Sequence, residues 1–214
     1  MTRPCILITA VLALLSSARP AAAADSRPFD YYMLVLSYAP DFCAQPTGNK
    51  DPRECGAGRR LGFIVHGLWP QAEGGRGPEN CGNPRPVSAA IIQTTLPYIP
   101  VDSLIQHEWR SHGTCTGMTA AAYFAALRKA RDAVKLPDEI NQPAKALQLA
   151  PSEVESKLAA ANPGFPRTAF RTTCYRDNDL QEIRICLTKD LTPRPCSASA
   201  GSCPAKQVTL LPVR

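Results

Sequence analysis

Histidine is scarce in this chain, with three among 214 residues. The scarcity confines acid–base or imidazole–metal chemistry to few places. No Cys-x-x-Cys pair and no His-x-x-x-His occurs, so the ligand spacings of zinc ribbons and zinc-protease helices are missing. No Gly-x-Ser-x-Gly occurs, which removes the nucleophile elbow of the serine hydrolases. Beyond the N-terminal segment no apolar run approaches the roughly 20 residues that a membrane-spanning helix needs. There is no Asn-x-Ser/Thr glycosylation signal, no internal repeat and no stretch that reads as a linker.

The N-terminus has the layout of an export leader. Arg3 supplies a short positive region, Ile6 to Leu15 is apolar, and Ala22-Ala23-Ala24 precedes polar Asp25. That run is too short to span a bilayer, and the small residues fit a cleavage site. A signal peptide over residues 1–24 and one domain over 25–214 are therefore expected. The formal charge of +6 stays mildly positive once Arg3 and Arg19 leave with the leader, which suits a polyanion without demanding one. Cys5 lies in the leader. Cys43, Cys55, Cys81, Cys115, Cys174, Cys186, Cys196 and Cys203 remain, an even set that implies four disulfides in an oxidising compartment. The count alone does not fix their pairing.

Residues from Phe29 to Tyr38 are aromatic and branched and read as a central strand. Leu61 to Val65 reads as a second strand, ending at His66-Gly67, where glycine permits a sharp turn. Ser88 to Thr95 is helical. A further helix, capped by Asp102 or Ser103, runs through Leu104, Ile105, Trp109 and His112 and stops at Gly113. Another begins near Thr119 with Tyr123, Leu127, Ala130 and Val134 at helical spacing. Its basic run, Arg128, Lys129 and Arg131, reads as a solvated face. Ser152-x-x-Glu155 has the form of a capping box opening a helix that Asn162-Pro163-Gly164 closes. Phe170 to Thr173 and Leu180 to Leu187 alternate like paired strands. Strands and helices mix without a βαβ rhythm. That predicts an α+β fold: a single disulfide-linked domain with a central, mainly antiparallel sheet flanked by helices.

All three histidines and both tryptophans fall in two short segments. The first is Phe63-Ile64-Val65-His66-Gly67-Leu68-Trp69-Pro70. The second is His107-Glu108-Trp109-Arg110-Ser111-His112-Gly113-Thr114-Cys115. Helical spacing puts Glu108 beside His112 and His107 beside Ser111. His107 and His112 lie roughly 140° apart round a helix, so they do not share a metal. Imidazoles titrate near working pH and serve as either base or acid.

These two segments, with Asp30-Tyr31-Tyr32-Met33-Leu34-Val35-Leu36-Ser37-Tyr38-Ala39-Pro40, closely resemble the active-site segments and first strand of the T2-type ribonuclease family. The likeness runs from about Phe29 to at least Cys186. It implies a secreted or periplasmic endoribonuclease without metal or cofactor, monomeric, acting on single-stranded RNA, with neither DNA nor membrane as partner. The reaction implied is attack of the 2′-hydroxyl on the adjacent phosphate, giving a 2′,3′-cyclic phosphate. His66 and His112 form the implied acid–base pair, with His112 as base and His66 as acid by analogy. Glu108 would orient His112 or handle charge at phosphorus, and His107 would bind phosphate. Trp69 would flank phosphate and base, and Gln71 would touch a base. Arg110 would reach the phosphate only from a loose helix end, and Trp109 is assigned to the core.

The chain departs from the family at Ser111, where a lysine is usual, and that puts electrostatic stabilisation of the transition state in question. The alternative reading is a catalytically weakened RNA-binding or inhibitory module on the same fold. The family pattern supports Cys81–Cys115, and proximity with resemblance supports Cys43–Cys55. Cys174–Cys186 would join a strand pair, leaving Cys196–Cys203.

Overall fold

A computed structural model describes residues 28–48 and 50–213. The expected signal peptide lies outside the described residues. The chain runs β1 (Tyr31–Tyr38), α1 (Ala39–Ala44), α2 (Pro52–Cys55), β2 (Phe63–Gln71), α3 (Ala89–Thr95), α4 (Asp102–Ser111), α5 (Ala120–Asp132), α6 (Asp138–Asn141), β3 (Leu147–Leu149), α7 (Pro151–Ala161), β4 (Phe170–Cys174), β5 (Leu180–Leu187) and β6 (Val208–Leu210). Four strands form one sheet in the order β2-β1-β5-β4, with every neighbouring pair antiparallel. A second, two-stranded sheet pairs β3 with β6. The architecture is α+β, as the sequence predicts. Among the described residues no helix is long and apolar enough to cross a membrane.

β1 is central and covered on both faces, which explains its unbroken apolar sequence. Tyr32, Leu34, Leu36 and Tyr38 join the main core with Ile105, Tyr123, Phe124 and Leu127 of the helices. Tyr31, Met33 and Val35 point the other way, into a small cluster with Cys186 and Ala200.

Three local features differ from expectation, each for a reason in the packing. β2 does not end at His66-Gly67 but continues to Gln71. It pairs with β1 throughout, and the register jumps from Leu36↔Val65 to Val35↔Gly67. His66 is therefore the extra residue of a β-bulge, which bends the strand and re-aims that side chain. The helix carrying the second histidine segment starts after buried Val101 rather than being capped by Asp102 or Ser103, and it ends at Ser111. His112 leaves helical geometry at φ −121°, and a 3₁₀ turn over Gly113–Thr116 follows. The box opening α7 is shifted too. Pro151 occupies the first turn, where its missing N–H costs nothing, and Glu153 accepts the Ala150 N–H at 2.6 Å. Glu155 instead accepts from Thr172 N–H at 3.3 Å and pairs with Arg167 at 3.0 Å.

Cys43–Cys55 and Cys81–Cys115 are bonded. The other four cysteines pair as Cys174–Cys203 and Cys186–Cys196, correcting the expected Cys174–Cys186 and Cys196–Cys203. The register explains the correction. Cys174 sits opposite Leu180, at the far end of β5 from Cys186. At about 3.3 Å per residue those six positions span roughly 20 Å, beyond disulfide reach.

Candidate active site

Three elements meet at the site: the bulge of β2, the C-terminal end of α4 and the outward face of β5. The bulge turns the half-buried His66 so that Nδ1 lies 2.9 Å from Glu182 Oε1 and Nε2 lies 3.7 Å from Glu108 Oε1. Gly67 follows. A Cβ built there would collide with the Glu108 carboxylate and the Trp69 indole nitrogen, so glycine is required by close approach rather than by a turn.

Trp69 organises the centre. Its Nε1–H donates to Glu108 Oε2 at 2.8 Å. Its ring meets His66 edge-on, with centroids 5.1 Å apart, and stacks on His112 at 4.9 Å with planes 24° apart. The two imidazoles thus flank one indole, although the residues are far apart along the chain. Glu108 is fully buried, and its Oε1 has no hydrogen-bond partner among the described residues. Contrary to the helical reading, its ionic contact is with His66, because His112 has already left the helix.

Electrostatics separates the two histidines. Burial disfavours a charge on His66, but the Glu182 hydrogen bond and the carboxylates of Glu108, Glu182 and Glu54 outweigh it and raise its pKa. His112 is buried with no carboxylate partner among the described residues, and burial, reinforced by His107 and His66, lowers its pKa to about 3. Burial pushes Glu108 up to about 7 against the pull of His66 and Trp69.

His107 and Arg110 line the same cleft as His66. The cleft holds about 650 Å³ and also presents Phe42, Tyr175 and Glu182. Burial and the neighbouring His66 and Arg110 lower the His107 pKa. Ser111 is buried at the end of α4, where its carbonyl accepts the Asn80 N–H at 2.8 Å. Gln71 is not brought to the cleft: it is buried at the last position of β2, facing Tyr31 in register. Trp109 is buried against Tyr123, with Gly113 leaving room for its ring.

Sequence reasoning missed Glu182. The available signal was a Glu182-x-Arg184 pair on one face of a strand otherwise built from Leu180, Ile183, Ile185 and Leu187. The basic run on α5 proves partly structural, since Arg131 donates to the Val134 carbonyl at 2.8 Å and Arg128 reaches Thr95 at 3.4 Å.

Comparison with known proteins gives a consistent picture. Residues 29–196 match the Ribonuclease T2 family. A ribonuclease of Aeromonas hydrophila is 30% identical over 196 residues, covering 90% of this chain and 87% of that protein. Ribonuclease T2 protein rnst-2 of Caenorhabditis elegans is 28% identical over 206 residues, covering 80% and 69%. Among solved structures, an RNase-related protein from Calystegia sepium superposes with a TM-score of 0.68 at 19% identity, covering 86% of this chain and 98% of that one. A mutant of RNase MC1 in complex with 5′-UMP gives 0.65 at 23% identity, covering 84% and 97%. The structural likenesses establish the fold.

Proposed function

The chain belongs to the Ribonuclease T2 family and is an RNA endonuclease, and from that premise we propose that it cuts RNA without a metal, by transesterification between His112 and His66. One observation carries this: Trp69 lies against both imidazoles, within 5.1 Å of one and 4.9 Å of the other. Two imidazoles held on either side of one indole supply both proton transfers of an in-line displacement.

The roles follow from charge. His112, kept neutral by burial, has a lone pair to offer and takes the proton of the 2′-hydroxyl. The 2′-oxygen bonds to phosphorus as the bond from phosphorus to the 5′-oxygen breaks. His66, kept cationic by the Glu182 carboxylate, gives its proton to the departing 5′-oxygen. The products are a 2′,3′-cyclic phosphate and a free 5′-hydroxyl. DNA lacks the attacking hydroxyl and resists.

Glu108 completes the chemistry. With a pKa near 7 and an Oε1 that has no hydrogen-bond partner among the described residues, it is protonated in mild acid and able to donate a hydrogen bond to a phosphoryl oxygen. That donor offsets the missing lysine at Ser111. His107 and Arg110 bear on phosphates along the cleft. The enzyme works outside the cytoplasm, where its four disulfides persist and where the leader over residues 1–24 would deliver it.

The test is incubation of the mature protein with a defined RNA oligomer and its DNA counterpart in excess EDTA. We expect RNA fragments ending in a 2′,3′-cyclic phosphate and intact DNA. Loss of cutting on chelation, or 5′-phosphate ends, contradicts the mechanism.

A further inference from the structure

β5 carries a buried carboxylate to which the acid–base pair alone gives no role. Glu182 places Oε1 2.9 Å from His66 Nδ1. Its Oε2 accepts from Arg184 at 2.9 Å through Nε and at 2.8 Å through Nη2. Arg184 is itself held, since Nη1 donates to the Ala200 carbonyl at 2.8 Å. Gly201 follows with φ +78°, and a Cβ there would lie 2.9 Å from Arg184 Nη1. The loop bearing Ala200 is tied back to β5 by Cys186–Cys196. The Arg184 guanidinium also stands 5.9 Å from the centre of the Trp69 ring.

Two guanidinium nitrogens on Oε2 and the imidazole on Oε1 together fix the carboxylate from both ends. Stability alone does not explain such a pair, because taking both charges out of water costs about as much as their attraction returns, and apolar residues would pack the strand as well. Its geometry is spent on one imidazole.

We propose that Glu182, clamped by Arg184, is a positioning residue for His66: it accepts the Nδ1 proton and fixes the ring so that Nε2 faces the scissile bond. This rests on the reading of His66 as the general acid. With Nδ1–H committed to Glu182, Nε2 is the atom that delivers the proton, and the imidazolium is stabilised until it does so. The carboxylates facing His66 are Glu182 from β5, Glu108 from α4 and Glu54 from α2, and the opposing groups are His107 and His112. Among the described residues Glu182 alone is in hydrogen-bond contact with the ring, so its removal acts most strongly.

The test is NMR titration of the histidines in the wild type, Glu182→Gln and Arg184→Gln, with kcat and KM for RNA cleavage measured against pH. In Glu182→Gln we expect the His66 midpoint to fall by about one pH unit or more. The alkaline limb of kcat should move with it, and kcat should drop roughly tenfold or more with KM little changed. Arg184→Gln leaves the carboxylate charged, so the His66 midpoint should not fall, while kcat drops because the carboxylate loses its clamp. General loosening of the fold would move both midpoints alike. A His66 midpoint in Glu182→Gln equal to that of the wild type overturns the proposal. If that variant does not fold, Arg184→Gln decides, and an unchanged kcat there overturns it. A wild type that cuts no RNA while its His66 midpoint responds to Glu182 would contradict the acid–base mechanism and still support the link.

Discussion

Glu108 accepts the Trp69 indole N–H through one oxygen at 2.8 Å and leaves its other oxygen buried, with no hydrogen-bond partner among the described residues and 3.7 Å from His66 Nε2. The arrangement has a pH signature. The active form needs Glu108 protonated, His66 protonated and His112 neutral. Burial lifts Glu108 to about 7 and holds His112 down to about 3, so these conditions overlap only in acid. The rate of RNA cleavage should peak between these values and decline towards alkaline pH. A profile still rising above pH 8 would remove Glu108 from the account.

Trp69→Phe keeps an aromatic ring beside His112 but deletes the donor that Glu108 requires. An unsatisfied buried acceptor costs about 1–3 kcal/mol. We expect a lower melting temperature and a kcat reduced by roughly tenfold or more. Equal loss of stability with full kcat would show that the indole N–H serves folding only.

Gly67→Ala asks for space that the Glu108 carboxylate and the Trp69 nitrogen already fill. Overpacking of this kind costs typically 1–3 kcal/mol and displaces neighbours. Activity should fall further than stability does, because the displaced groups are the reacting ones. Thermal melting and kcat of the variant check this, and a near-wild-type kcat would contradict the packing argument.

Stability should increase on acidification from pH 7.5 to 5. Asp41, whose carboxylate accepts the Leu180 and Leu211 N–H groups at 2.9 Å each, is pushed by burial to about 7. Burial raises Glu54 and Glu108 to about 7 as well. Unfolded carboxyls titrate near 4, so between about 4 and 7 the folded chain holds protons that the unfolded chain has released. Folding is then favoured as pH falls. His112 and His107 oppose this, since burial lowers both and their protons then favour the unfolded chain, but three raised carboxyls together with the raised His66 outweigh two imidazoles. Denaturant unfolding at the two pH values decides the sign, and a lower midpoint at pH 5 contradicts it.

The parts of this site that sequence exposes are the local ones. His66-Gly67-Leu68-Trp69 and the stretch from His107 to Cys115 carry their chemistry within a few residues, and β1 declares itself by an apolar run. The α+β class followed from the same periodicities. What stayed hidden depends on pairing across long separations. The bulge at His66 exists only in the register of β2 on β1. Glu182 lies 116 residues from the ring it touches. The Cys174–Cys203 and Cys186–Cys196 bonds depend on which end of β5 each cysteine occupies. The exit of His112 from α4 reassigned Glu108 from one histidine to the other, a change that helical spacing alone cannot show.

The most direct measurement separates acid from base through the leaving group. His66→Ala and His112→Ala should each cut RNA at least about a hundredfold more slowly than the wild type. On a nucleoside 3′-(4-nitrophenyl phosphate), whose leaving group departs without a proton, His66→Ala should recover most of its rate and His112→Ala should not. Recovery by His112→Ala instead, or near-full RNA cleavage by either variant, would contradict the assigned pair.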